Sequence, residues 1–253
     1  MKPIVSGQAK KTDTMIKKWL QDIFDQKEST EIKEWRTDNS ILKFLSSNLD
    51  ENGNLTEKAH DLPDEKKDDE KIRFAPGLMD AMFGADDSDD SKKRITELTK
   101  HIKKVASKGD KIGEQEFYGL ITENEGVIGI IDDFLQTVVN NALPIEPYLF
   151  KYAKDLATRT DKRNAVKFGI AILGLCQNKS VLNDIKILGL HDEFTVYATI
   201  AIVNLSDNVE NNLWDLAKKV DGWGKIQLVD RLARPELSEP MKDWFILSGS
   251  NFL

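Results

Sequence analysis

The chain offers few groups able to do covalent chemistry, and their spacing argues against most of it. Its three histidines, His60, His101 and His191, fall in a loop, an amphipathic stretch and a turn. None stands at metal-ligand spacing from a cysteine, another histidine or a carboxylate. The single cysteine, Cys176, ends an apolar run, where a thiol acts as a small hydrophobe; a nucleophilic thiol needs a basic, partly exposed setting. One thiol closes no internal disulfide, so nothing points to an oxidising compartment. No serine sits in a nucleophile elbow. Gly119 and Gly126 follow no strand and open onto no phosphate-binding Lys–Ser/Thr pair. Asp50, Asn52 and Asn54 alternate as calcium ligands do, but Leu55 and Asp61 stand where such a loop needs its glycine and its final glutamate. That segment reads as a turn. The residues therefore predict no catalytic set, no metal and no cofactor, and leave binding as the function class.

The elements that must position any binding groups are helices. Two runs, Asn164–Leu175 and Glu193–Leu205, are almost wholly apolar and, at 12 and 13 residues, too long for typical buried strands and too short to span a bilayer. Helices apolar nearly all round need cover on several sides. The neighbouring segments supply it: Pro147, Tyr148, Leu149, Tyr152, Ala153 and Leu156 share one helical face, as do Val181, Leu182, Ile185 and Leu188, and then Val209, Leu213, Leu216, Ala217 and Val220. Asp161, Asp192 and Asp221 precede the buried segments as expected N-caps, 31 and 29 residues apart. Two helices in a period near 30 suggest stacked hairpins, each burying its face against its neighbours.

In helix order, spacing and these capping aspartates, residues 113–253 resemble the HEAT/armadillo-like superfamily of helical repeats, with a period shorter than is usual there. The resemblance implies an all-α, right-handed α–α superhelix, with an irregular helical bundle as the alternative. It also implies a concave binding surface lined by the second helices. The polar residues on that surface are Arg163 and Lys167 in the first, Glu193 and Tyr197 in the second, and Lys225 and Arg231 in the third. Trp214 and Trp223 are turn aromatics suited to anchoring a partner or to packing between repeats. A non-enzymatic scaffold holding a protein or peptide partner is the expected function. Some HEAT-like proteins resemble DNA glycosylases, and Trp223, Asp230 and Arg231 lie close together here. A further alternative is an acidic, immunity-type inhibitor that masks a basic partner.

Charge weighs among these. The net charge is −7, with 11 acidic and 6 basic residues between Asp61 and Lys93 but 14 of each from Pro144 to Leu253. A nucleic-acid-binding solenoid needs an excess of Lys and Arg on its groove, so DNA and RNA are disfavoured as partners.

Ahead of the repeats, residues 1–11 read as a disordered basic tail lacking the apolar core of a signal peptide, and a cytoplasmic location is the default. Residues 12–112 read as an N-terminal helical region, either separate from the repeats or continuous with them, with acidic loops at 61–71 and 85–91. Within it Met15, Ile16, Trp19, Leu20, Ile23 and Phe24 form one stripe, and Ile72–Gly84 is an apolar island. Lys92–Ser107 is a helix on Ile95, Leu98, Ile102 and Val105, followed by a loop over Lys108–Gly113. A hairpin of Glu114–Ile121 and Val127–Ala142 points Ile128, Ile131, Leu135, Val138 and Val139 inward. The apolar tail around Trp244, Phe245, Phe252 and Leu253 is expected to fold back, to meet a second copy of the chain as a homodimer, or to continue into a longer protein.

Overall fold

The computed structural model describes residues 34–64, 89–123 and 129–220, together with residues 224, 225 and 228. The Met15–Phe24 stripe, the Ile72–Gly84 island, Asp221, Trp223, Asp230, Arg231 and the apolar C-terminal tail lie outside the described residues. From Trp35 onward the described residues belong to one compact unit, Trp35–Leu253.

Among the described residues the fold is all-α. The helices are α1 (Ile41–Ser46), α2 (Asp89–Lys108), α3 (Lys111–Glu123), α4 (Ile131–Asn140), α5 (Tyr148–Thr158), α6 (Arg163–Leu173), α7 (Leu182–Leu188), α8 (Asp192–Leu205) and α9 (Val209–Ala217). The only β pairing there is an isolated bridge between Leu49 and Leu55, which closes the turn that Asp50 organises. No described helix is long and apolar enough to cross a membrane.

The core is organised around α6. Eight of its 11 residues are buried, and it packs against α3, α4, α5 and α8. Such all-round cover is what an almost wholly apolar helix requires. Helix α8 is buried likewise through Phe194, Ala198, Ala201, Ile202 and Leu205, and contacts α6, α7 and α9. An aromatic cluster ties four helices together: Phe117 of α3 meets Phe134 of α4, Tyr152 of α5 and Phe168 of α6, all with ring centroids 5.5–5.9 Å apart. Edge-to-face and tilted pairs at that range each contribute about 1 kcal/mol beyond the burial of their area. Helices α5 and α6 approach closely, with Gly169 against the backbone of Ala153 and Ala157.

Several sequence expectations shift. Asp161 and Asp192 are not the caps. Lys162 precedes α6 with no side-chain cap, and the Arg163 N–H donates instead to Asp64 Oδ2 at 2.9 Å, a carboxylate brought in by tertiary folding. His191 caps α8, its Nδ1 accepting from the Glu193 N–H at 3.2 Å, while Asp192 opens the helix itself, where the dipole still favours an acid. The loop Lys108–Gly113 is reduced to two residues: Gly109, at φ +65°, reverses the chain, and Asp110 accepts from the Gly113 N–H as α3 begins. Val139 points outward, 54% exposed, because Phe134 and Val138, four residues apart, occupy the inner face of α4. Tyr148 and Pro147 are likewise exposed.

Candidate functional site

Four of the residues singled out from sequence converge. Arg163 and Lys167, one turn apart on α6, face Glu193 and Tyr197, one turn apart on α8. Lys167 Nζ lies 2.6 Å from Glu193 Oε2, and Arg163 donates to Glu193 Oε1 at 3.1 Å. Arg163 also reaches Asp64, with Nε 3.1 Å from Oδ1. The Lys167 ammonium sits 5.8 Å from the centre of the Tyr197 ring, within cation–π range. Two cations and two carboxylates balance one another here. Lys167 is 3% exposed and Tyr197 8%. Burial raises the pKa of Glu193, but Lys167 and Arg163 more than reverse this, and its carboxyl is held below the ordinary value.

His191 borders the cluster. Its Nδ1 accepts a backbone N–H, so the proton sits on Nε2, which faces the His60 carbonyl at 3.3 Å. The two imidazoles approach to 6.3 Å between centroids. Burial lowers the pKa of His191 to about 4. The folded pKa is depressed below the unfolded value near 6.5, so between those values the unfolded chain binds the extra proton and stability falls as the pH falls. From pH 7 to pH 5 the expected loss from this one group is about 2 kcal/mol. His191→Asn keeps an N-cap and does not titrate; chemical denaturation at both pH values should show a drop smaller by about that amount.

A second network fastens the segment before α1. Arg36 donates to Glu114 at 2.6 Å and to Asp155 at 2.9 Å, while Lys111 pairs with Glu114 and Lys151 with Asp155. Trp35 stacks on Tyr118 at 4.6 Å, and the Arg36 guanidinium lies 4.3 Å over the Trp35 ring. Burial works against charge at both Arg36 and Asp155. The hydrogen bonds to Glu114 and Asp155 prevail at Arg36, and those from Lys151 and Arg36 prevail at Asp155, raising the first pKa and lowering the second.

Of the other sequence candidates, Trp214 and Lys225 are among the described residues. Trp214 of α9 is half-buried, carries the Lys218 ammonium 4.2 Å over its ring, and has an indole N–H that meets no acceptor among the described residues. Lys225 is half-buried. Trp223 and Arg231 lie outside the described residues. Cys176 is buried, donates to the Ile172 carbonyl at 3.3 Å, and has its pKa pushed up to about 12, mainly by burial and further by Glu146. The native protein should therefore leave a thiol-specific reagent unreacted at pH 8, with labelling appearing only across the denaturant unfolding transition.

Among the described residues no group of three or more His, Cys, Asp or Glu side chains is placed to hold a metal ion. Open recesses among the described residues include the following two. One, of about 630 Å³, is lined by Ile145, Glu146, Leu175, Gln177, Asn178 and Lys179. The other, of about 830 Å³, is a groove between α2 and α4, with Lys92, Lys100 and Lys103 on one wall and Asp133, Thr137 and Asn141 on the other. Nothing in the sequence singled out this groove, because its walls come from two helices whose packing the apolar pattern does not specify.

The chain matches no protein-family model, no curated protein and no solved structure.

Proposed function

We propose that this chain is a non-enzymatic protein-interaction module, its C-terminal helices stacked as hairpins in the manner of HEAT-like repeats. The observation that carries the reading is the fate of the reactive groups. The histidine nearest a charge cluster is held neutral, the thiol is buried and protonated, and the arginine and lysine of α6 sit beside carboxylates. The pairing of α5 with α6 and of α7 with α8, with α8 packing on both α6 and α9, supports the stacked arrangement. Stacked hairpins offer long faces suited to holding another chain.

The test is affinity capture from the native host, followed by reconstitution of each captured protein with purified chain and titration calorimetry. A reconstituted complex of defined stoichiometry supports the module. A mobility shift of duplex DNA at low salt, with no protein complex, would move the reading to a DNA-directed enzyme. No reconstituted complex with any captured protein overturns the module.

A further inference from the structure

We propose that the groove between α2 and α4 binds an acidic, extended peptide segment of a partner protein, with α2 as the recognising element. The proposal rests on the interaction-module reading and deepens it. In a chain of net charge −7, α2 alone carries seven basic and three acidic residues. Lys92, Lys93, Lys100, Lys103, Lys104 and Lys108 are all exposed. Lys92, Lys100 and Lys103 line the groove itself, spanning about 17 Å at 1.5 Å per residue. Among the described residues no carboxylate lies within ion-pair distance of Lys93, Lys100, Lys103 or Lys104, whereas most of the other described cations on α3, α5 and α6 are paired. Like charges brought together at one face attract a complementary chain and speed its encounter.

The groove beneath the lysines decides between anionic partners. The hydroxyl protons of Thr96, Thr99 and Thr137 are already donated, at 2.6–2.8 Å, to carbonyls one turn back in their own helices. Their oxygens therefore face the groove as acceptors, and Asp133 adds an acceptor that is charged. A ligand must bring N–H donors to this floor and carboxylates to the lysine rim. A peptide backbone with Asp or Glu side chains has both. A nucleic-acid backbone presents only acceptor oxygens there and would meet Asp133 with repulsion, and no aromatic side chain lines the groove to stack a base. The floor from Ser91 to Lys103 runs about 18 Å, which accommodates roughly six residues of extended peptide.

The assay is fluorescence anisotropy of the full chain with three labelled probes of equal length: a hexapeptide of alternating Glu and Asp flanked by glycines, its Gln/Asn counterpart, and oligo-deoxythymidine. The acidic peptide should bind at least tenfold tighter than the other two, and weaken severalfold between 50 and 200 mM salt. Lys100→Glu/Lys103→Glu should reduce its affinity tenfold or more, with Lys100→Gln/Lys103→Gln intermediate and all thermal midpoints unchanged. Equal or tighter binding of the oligonucleotide, or acidic-peptide affinity indifferent to both variants, overturns the assignment. Calorimetry of the Lys100→Glu/Lys103→Glu variant with a reconstituted partner separates the two readings. Undiminished binding there removes α2 from the interface and leaves the module intact.

Discussion

Gly169→Ala is expected to destabilise the protein by about 3 kcal/mol, whereas Gly119→Ala, the same change in another helix, is expected to stabilise it by about 0.5–1 kcal/mol. The two glycines differ only in what surrounds them. A methyl at Gly119 would find its nearest neighbour 3.8 Å away, the flexible end of Glu123, so alanine's better helix propensity is all that registers. A methyl at Gly169 would lie 2.5 Å from the Ala157 nitrogen and 2.9 Å from the Ala153 carbonyl oxygen. Those are backbone atoms of a helix whose other side is packed, so they cannot rotate away. Helices α5 and α6 must separate, and α6 carries the packing of α3, α4 and α8 with it. Urea denaturation at pH 7 measures both signs. A Gly169→Ala midpoint within error of wild type would mean that α5 and α6 are not in the close contact described.

The helices that sequence placed best are those whose burial is a local matter. Asn164–Leu175 and Glu193–Leu205 carry apolar residues on every side, and the observed α6 and α8 begin and end within two residues of them. Amphipathic α2 was equally legible through Leu98, Ile102 and Val105. What escaped was everything set by long-range geometry. Asp64 caps α6 across 99 positions, and no pattern around Asp64 marks it as a cap. Val139 and Val138 are indistinguishable by type, and only the position of Phe134 against Phe117 and Phe168 turns one in and the other out. The charged residues of α6 and α8 were identifiable as exceptions on apolar helices. That they would face one another required knowing that α6 and α8 are neighbours.

That cluster yields the second large effect, and it should be asymmetric. Glu193 serves two cations, Lys167 at 2.6 Å and Arg163 at 3.1 Å, with its own side chain 12% exposed. Glu193→Gln leaves the ammonium of Lys167, whose side chain is 4% exposed, facing a neutral amide. Removing one partner of a buried ion pair costs about 3–5 kcal/mol, and the Tyr197 ring offsets only a part of it. Lys167→Met, by contrast, leaves Glu193 still paired with Arg163 and fills the space with apolar atoms, so its cost should be about 1 kcal/mol or less. Combining the two should recover most of the Glu193→Gln loss, because the ammonium that had lost its carboxylate is gone. Acid supplies an independent check. The folded pKa of Glu193 is depressed, so its stabilisation is present above the unfolded value near 4.3 and is lost as the pH falls through the folded value. Glu193→Gln carries no such loss, and the gap between it and wild type should therefore narrow as the pH drops below about 4. Denaturant midpoints of the four proteins at pH 7 and pH 3.5 test both features. Equal costs for the two single variants at pH 7 would mean that Arg163 does not compensate Glu193 when Lys167 is removed.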